Sequence, residues 1–473
     1  MTRRAWLLAL VAVLVRAAAA FRVQVIDSDS TRDLQMASLI GQGRFSEALR
    51  VPTPTPPLHP FLTSLVEIPA RSLLFSGVAV SVILGGLSVL SVYAMAKRTW
   101  DERTAVTASL LYVFLPSIVD IHAEAMTEAT FMFFFLGGLA LGWRAIEERS
   151  WELTVVAAGC AALAWYSRPE GIYLLALFGV AALLQFGRFG PPAVLLFSGV
   201  GFLLAFPYLC FIHGDTGQWQ ISLSPFPQLL RNYLGGARYP ELALQDYGPY
   251  RAVARHGPLL GGGGLLLSSF FGKVLWYVLG PFLILGFARP QPAPGQRSFL
   301  AYGWIAAAAY LFPIALSFVV STPFSHRFLL VPAALLLPTT AAGLARAADW
   351  TRRPQILPAL VGLLCVGMCI RDLRPRRADK EGYREAAAAI RKAIGTGRRV
   401  YSTARAVEFY AGSEHLPDPA GAEAYVFCMP DLRAEEKVLE EQVSREHALL
   451  GEFPSPPRPG VLPVRVYLGK RSP

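Results

Sequence analysis

The stretch "MTRRAWLLALVAVLVRAAAAFRVQVIDSDSTRD" (residues 1–33) sets a basic start, an apolar run and the carboxylates of Asp27, Asp29 and Asp33 in direct succession. The run from Ala5 to Phe21 approaches the roughly 20 apolar residues needed to cross a hydrocarbon core about 30 Å thick. It reads as a membrane span with a basic end on one side and an acidic cluster on the other. A cleaved signal peptide has a similar order of parts. The uncleaved helix is preferred, because Arg16 interrupts the apolar run and the acidic cluster then stays tethered at the membrane surface.

The rest of the chain repeats the pattern. Of 473 residues, 53% are hydrophobic and 16% charged, against roughly 25% charged in a soluble domain, and the mean hydropathy is +0.41. Further runs of membrane length are Leu73 to Ala96, Ala105 to Val119, Ala129 to Trp143, Leu153 to Ser167, Ile172 to Gly187, Pro191 to Ile212, Leu265 to Ala288, Phe299 to Val320, Phe328 to Ala345 and Ile356 to Ile370. The expected architecture is a polytopic α-helical membrane protein of about 11 spans. A net charge of +11 reads as membrane topology and not as nucleic-acid binding, since Lys and Arg collect in cytoplasmic loops. The five cysteines show no zinc spacing and no disulfide framework; Cys365 and Cys369 lie one helical turn apart in an apolar run.

With a cytoplasmic N-terminus every inside connection is basic: Arg3-Arg4, Lys97-Arg98 with Arg103, Arg144 with Arg149, Arg188, Arg289 with Arg297, and Arg346 with Arg352-Arg353. The outside connections are then "VIDSDSTRD", "DIHAEAMTE" (Asp120 to Glu128), "SRPEG" (Ser167 to Gly171), a long segment over residues 213–264 and "STPFSHR" (Ser321 to Arg327), followed by the tail after Ile370. Acidic and otherwise unexplained polar residues from five loops thus share one face. Charges set hard against helix ends are costly to bury unless paired or used.

These motifs resemble the GT-C glycosyltransferases, and among them the bacterial members similar to protein O-mannosyltransferases and to the lipid A aminoarabinose transferase, of the glycosyltransferase family 39 type. The first external loop (22–72) carries Asp29-Ser30-x-x-Asp33 and then "PPLHP" (Pro56 to Pro60). The family places there an Asp-Glu pair with a tyrosine three positions on, an interfacial helix and a Pro-Pro-Leu-Tyr-like run. Ser30 stands for the glutamate and Asp33 for the tyrosine, and Asp27 is the alternative counterpart of Asp29. "HAEAMTEATFMFFF" resembles the second acidic motif through Glu128, with Glu124 as the alternative; "YSRPEGIYLL" resembles the Arg-Pro-Glu-Gly turn; "SHRFLLVPAALLLP" resembles an Arg-Tyr segment with Phe328 for tyrosine. The likeness covers most of the first 345 residues. It implies a helical bundle with an extracytoplasmic domain, in a bacterial inner membrane, and lipid-phosphate-linked sugar donors.

Chemistry suggests roles for these residues. An acceptor hydroxyl must lose its proton as it attacks an anomeric carbon, and Asp29 is the candidate general base, with Glu128 the second catalytic carboxylate. Guanidinium groups suit a departing phosphate, so Arg168 and Arg327 are candidate phosphate ligands, joined by Lys273 among interfacial aromatics. His326 either donates to phosphate or sugar or caps a helix. Glu170 either orients Arg168 or caps the helix that Pro169 starts. Asp27, Glu124 and His59 are candidate acceptor or sugar contacts, His59 equally a turn residue. Arg16 either snorkels or meets a lipid phosphate. The expected partners are a polyprenyl-phosphate sugar and a glycolipid, polysaccharide or protein acceptor; no cofactor or metal is expected. The run Gly261 to Gly264 lacks the Lys-Ser/Thr of a phosphate-binding loop and reads as part of a lid.

After Ile370 the composition turns charged. Tyr383, Ala387, Ile390 and Ile394 recur at helical spacing before Gly395 and Gly397; strand-like "RRVYSTA", "AYVFCM" and "VRVYLGK" alternate with helical "RAVEFYAG" and "DLRAEEKVLEEQVSREHALL", the latter capped by Asp431. Residues 371–473 therefore form a small extracytoplasmic α/β domain behind a membrane domain of residues 1–370. Two other classes fit an outline of many spans. A transporter or flippase calls for broken helices, midplane charges and an internal repeat, and a membrane scaffold needs no carboxylates and arginines at several helix ends.

Overall fold

The computed structural model describes residues 2–49, 56–185, 189–217, 219, 266–288, 294–320, 326–353, 355–416, 419–429, 432, 434–458 and 461–469. Most of the long loop 213–264, the glycine run within it, residues 321–325 and the Asp431 cap lie outside them. Two compact units emerge: residues 1–19 with 36–372, and residues 20–35 with 373–473.

The first unit is helical. Its helices are α1 (Arg3–Ala20), α2 (Ser28–Gly41, shared with the other unit), α3 (Phe45–Leu49), α4 (Leu58–Ala70), α5 (Leu73–Leu87), α6 (Val89–Thr99), α7 (Glu102–Phe114), α8 (Pro116–His122), α9 (Thr127–Glu147), α10 (Trp151–Ser167), α11 (Tyr173–Leu184), α12 (Gly190–Thr216), α13 (Gly280–Phe287), α14 (Pro294–Val320), α15 (Leu330–Trp350) and α16 (Ile356–Asp372). Polar caps set several starts: the Asp101 carboxylate accepts the Thr104 N–H at 2.6 Å and Ser150 accepts that of Leu153 at 3.1 Å. Among the described residues, Leu73–Thr99, Thr127–Glu147, Gly190–Asp215 and His326–Trp350 are long and apolar enough to cross a bilayer.

The expected count of about 11 is not reproduced as full-length helices, for local reasons. The run Ala105 to Val119 is broken by 55° between α7 and α8. Pro116 has no N–H for the preceding turn and pushes Leu115 into an extended conformation. The run Leu265 to Ala288 divides into a π-helical turn, Ser269–Val274, and the short α13. Helices α10, α11 and α16 fall at expected positions but are shorter than a full span.

The bend corrects the expectation for Arg16, which neither snorkels nor faces lipid. It is fully buried, and its guanidinium donates to the carbonyl oxygens of Ala12 at 3.0 Å and Tyr112 at 3.3 Å and to His122 Nδ1 at 3.2 Å. Tyr112 O is the acceptor that a residue with an N–H at position 116 would have satisfied, so an arginine fills the bond that proline removes.

The core of this unit packs around Trp143, 5.2 Å from Phe299 and 5.1 Å from Tyr302, centroid to centroid. At one end charges pair in short range: Arg144 forks Glu148 at 2.9 and 3.1 Å, Lys97 meets Glu102 at 2.9 Å, and Arg98 meets Glu147. Helices α13 and α15 touch backbone to backbone. A Cβ on Gly343 stands 1.8 Å from the Phe282 carbonyl oxygen, and one on Gly286 stands 2.0 Å from that of Thr339. Neither helix can accept a methyl group without separating. Gly343→Ala is therefore expected to destabilise by about 1–3 kcal/mol, read as a lower melting temperature in detergent, while Gly303→Ala, whose Cβ meets nothing within 4 Å, leaves it unchanged.

The second unit is an α/β fold of helices α17 (Gly382–Ile394), α18 (Arg405–Ala411) and α19 (Ala434–Glu446) with strands β1 (Arg399–Ser402), β2 (Glu414–His415), β3 (Ala424–Cys428), β4 (Ala448–Phe453) and β5 (Val464–Leu468). The sheet order is β2-β1-β3-β5-β4, parallel across the first three strands and antiparallel across the rest. Tyr383, Ala387 and Ile390 of α17 pack on Val400, Val426 and Val466. "HALL", read as the end of a helix, opens β4, because Leu449 and Gly451 find ladder partners in Tyr467 and Val466. Burial, with the Glu440 carboxylate 2.6 Å away, pushes the Tyr467 hydroxyl up to about 12.

Part of the expected first external loop belongs to this unit. Gln24 N–H donates to Arg376 O at 3.1 Å, Arg376 N–H returns to Arg22 O at 3.0 Å, and Val25 is fully buried in the α/β core.

Candidate active site

In the helical unit, residues from three separate motifs meet. Glu128 lies in the first turn of α9, where the helix dipole favours a carboxylate, and is 5% exposed. Arg168, the residue that ends α10 in an extended conformation, donates from Nη1 to Glu128 Oε1 at 2.6 Å. Its Nε and Nη2 fork both oxygens of Glu170 at 3.3 and 3.0 Å. Arg327 Nε stands 3.6 Å from the same Glu128 oxygen. The guanidinium of Arg168 lies 5.3 Å from the Phe328 ring centroid and 6.0 Å from that of Phe131; Tyr310 packs against Phe131 and Tyr173 beside them.

The local fold explains the turn. Pro169 starts a 3-10 turn, Pro169–Ile172, and a Cβ on Gly171 would stand 2.2 Å from the backbone nitrogen of Trp165. Only glycine lets this turn fold flat on α10 and aim Arg168 at Glu128. Glu170 forks Arg168 and also lies in the first turn of this 3-10 helix, so the two roles open for it are compatible.

Beside this cluster stands a second. Asp120 of α8 pairs with Arg371 at 2.5 Å, and Arg371 lies 3.5 Å from Asp372. His326 is within electrostatic range of Lys273, Asp120, Arg327 and Arg371. Lys273 sits in the π-helical turn and is exposed; the turn is tied to α8 where Ser117 Oγ donates to Val274 O at 3.1 Å. Adjacent residues His326 and Arg327 thus join the clusters. Asp120, Arg371 and Tyr310 were not singled out from sequence, although Arg371 was legible as a basic residue on the face expected to be poor in them.

The other candidates fall elsewhere. His59 is not in a turn: it lies inside α4, 1% exposed, with Nδ1 2.9 Å from Thr130 Oγ1, so it ties α4 to α9. Glu124 is 3% exposed in the turn between α8 and α9. Asp27 and Asp29 belong to the other unit. Asp27 Oδ1 accepts the Asp29 N–H at 3.0 Å, capping α2, and its Oδ2 meets Arg377 Nη2 at 2.7 Å. Asp29 lies in the first turn of α2 with its side chain 27% exposed, 3.8 Å from Arg32. Asp33 is 3% exposed, 3.3 Å from the same arginine. Among the described residues no three His, Cys, Asp or Glu side chains converge in a way that could hold a metal.

Residues 54–211 match the family described as dolichyl-phosphate-mannose-protein mannosyltransferase. Solved structures agree on the fold. In particular, the chain is similar end to end to ArnT from Cupriavidus metallidurans bound to undecaprenyl phosphate, with 13% identity, 98% of each chain covered and a TM-score of 0.64. It is also similar to the Archaeoglobus fulgidus oligosaccharyltransferase in complex with Zn and sulfate, with 15% identity, 87% of this chain covered and a TM-score of 0.54; the chain spans 62% of that enzyme's length. No curated protein matches by sequence.

Proposed function

We propose that the chain is a membrane glycosyltransferase that moves a sugar from a polyprenyl-phosphate donor to a hydroxyl of a glycolipid, polysaccharide or protein, on the extracytoplasmic side of a bacterial plasma membrane. The observation that carries this reading is the Glu128 carboxylate held between Arg168 and Arg327 at helix ends, in a fold shared with a structure bound to undecaprenyl phosphate.

The acceptor oxygen attacks the anomeric carbon and gives its proton to the Asp29 carboxylate. The bond from that carbon to the phosphate oxygen breaks, and its electron pair leaves on the polyprenyl phosphate. One displacement inverts the anomeric centre, and no metal takes part in it. Arg327, Lys273 and His326 receive the charge that accumulates on phosphate. Arg168, engaged by two carboxylates, holds Glu128 in place, and Glu128 in turn aims Arg327.

Native mass spectrometry of the purified protein with polyprenyl phosphate, a panel of polyprenyl-phosphate sugars and ordinary phospholipid tests the reading. Wild type is expected to retain one sugar lipid selectively, and Arg327→Ala to lose at least tenfold of that retention, as for a charge-assisted contact worth about 1.5–3 kcal/mol. Equal retention of phospholipid would sink the proposal.

A further inference from the structure

The α/β unit holds a cavity that the transferase reading does not use. It measures about 380 Å³ and is lined by Asp27, Arg377, Lys380, Thr403, Arg405 and Glu436 among others. It opens beyond the carboxyl ends of the parallel strands β1 and β3, which finish at Ser402 and Cys428. Crevices at that place in open α/β sheets are where such folds hold ligands. The rim is fixed: Thr403 Oγ1 accepts the Cys428 N–H at 3.0 Å, and Ser402 Oγ accepts the Ala404 N–H at 3.0 Å and donates to Ala404 O at 2.9 Å.

The charges in the cavity are unevenly matched. Arg377 is satisfied by Asp27 at 2.7 Å and by Val25 O at 3.2 Å. Lys380 stands over the Tyr383 ring at 5.9 Å. Arg405 is half-buried and makes no hydrogen bond or ion pair among the described residues. A guanidinium drawn part-way out of water without an acceptor is a group that a ligand anion would complete. Its planar fork matches phosphate bidentately, and a nearby ammonium adds a point charge. The volume falls within the range of about 300–1,000 Å³ found for small-molecule sites, more than phosphate alone fills, and the carboxylates of Asp27 and Glu436 suit sugar hydroxyls.

We propose that this cavity binds a phosphorylated sugar, its phosphate on Arg405 and Lys380. The proposal does not depend on the transferase activity. The test is titration calorimetry of the full chain in zwitterionic-lipid nanodiscs with a hexose 1-phosphate, the uncharged hexose and inorganic phosphate. The phosphosugar is expected to saturate one site, with both other probes at least tenfold weaker. Arg405→Ala and Lys380→Ala each lower its affinity tenfold or more at unchanged melting temperature, Arg405→Lys keeps part of it, and Arg327→Ala has no effect. Equal binding of the uncharged hexose, or wild-type affinity in both alanine variants, overturns the proposal. Loss in Arg327→Ala but not in Arg405→Ala also overturns it, by placing the anion at the membrane cluster. Repeating the titration in phosphatidic-acid nanodiscs separates sources. Arg405-dependent competition supports a phosphate borne on a lipid headgroup, and its absence supports a soluble phosphosugar.

Discussion

Replacing Asp29 by Asn is expected to lower sugar transfer by about 10²–10⁴-fold, the range over which a positioned general base contributes, with lipid-phosphate binding intact. The neighbouring carboxylate supplies the contrast. Asp27 caps α2 and pairs with Arg377, so Asp27→Asn is expected to act on stability, by about 1 kcal/mol for a lost cap, and only weakly on turnover. Asp29 is held by a longer contact to Arg32 and keeps part of its surface open. The measurement is turnover per folded protein with a matched lipid-retention assay for both variants. Full turnover in Asp29→Asn with a dead but folded Asp27→Asn would transfer the base to Asp27.

The second large effect concerns Glu128. Truncation to Ala leaves Arg168 with Glu170 alone and removes the carboxylate that faces Arg327, and breaking a buried pair by removing one partner costs about 3–5 kcal/mol. Glu128→Ala is expected to lose both melting temperature and transfer. The conservative Glu128→Gln keeps an amide oxygen for Arg168 and leaves the Arg168–Glu170 pair intact, and is expected to recover part of the stability without recovering activity. An unchanged melting temperature and turnover in Glu128→Ala would show that the cluster is merely a solvated surface.

The membrane character and the three motifs that carry Glu128, Arg168 and Arg327 were legible in the sequence because each depends on local pattern: apolar run length, or a proline and glycine fixing a turn. The ion pairs themselves were not, since Glu128 and Arg327 lie far apart in sequence and nothing local says that α9 and the segment before α15 share an end. His59 misled for a related reason. Between prolines a histidine reads as a turn residue, whereas Pro57 and Pro60 sit at the start of α4, where proline is tolerated, and the ring turns inward to Thr130. The α/β unit was legible in its strands and helices, but its recruitment of residues 20–35 rests on two backbone hydrogen bonds and a buried valine that carry no sequence signature.

The Arg16 site bears on how the chain is made. An arginine within an apolar helix is disfavoured on entry into a bilayer, and the acceptors of Arg16 at Tyr112 and Val113 lie 96 and 97 residues further along the chain. At synthesis rates of about 5–20 residues per second, the first helix must wait several seconds before the bend at Pro116 exists to receive it. During that interval the helix carries a cation that the bilayer disfavours, which argues for its being held beside the insertion machinery until α7 arrives. The acceptors that the first helix's arginine uses in the folded protein thus exist only once the end of α7 has been synthesised.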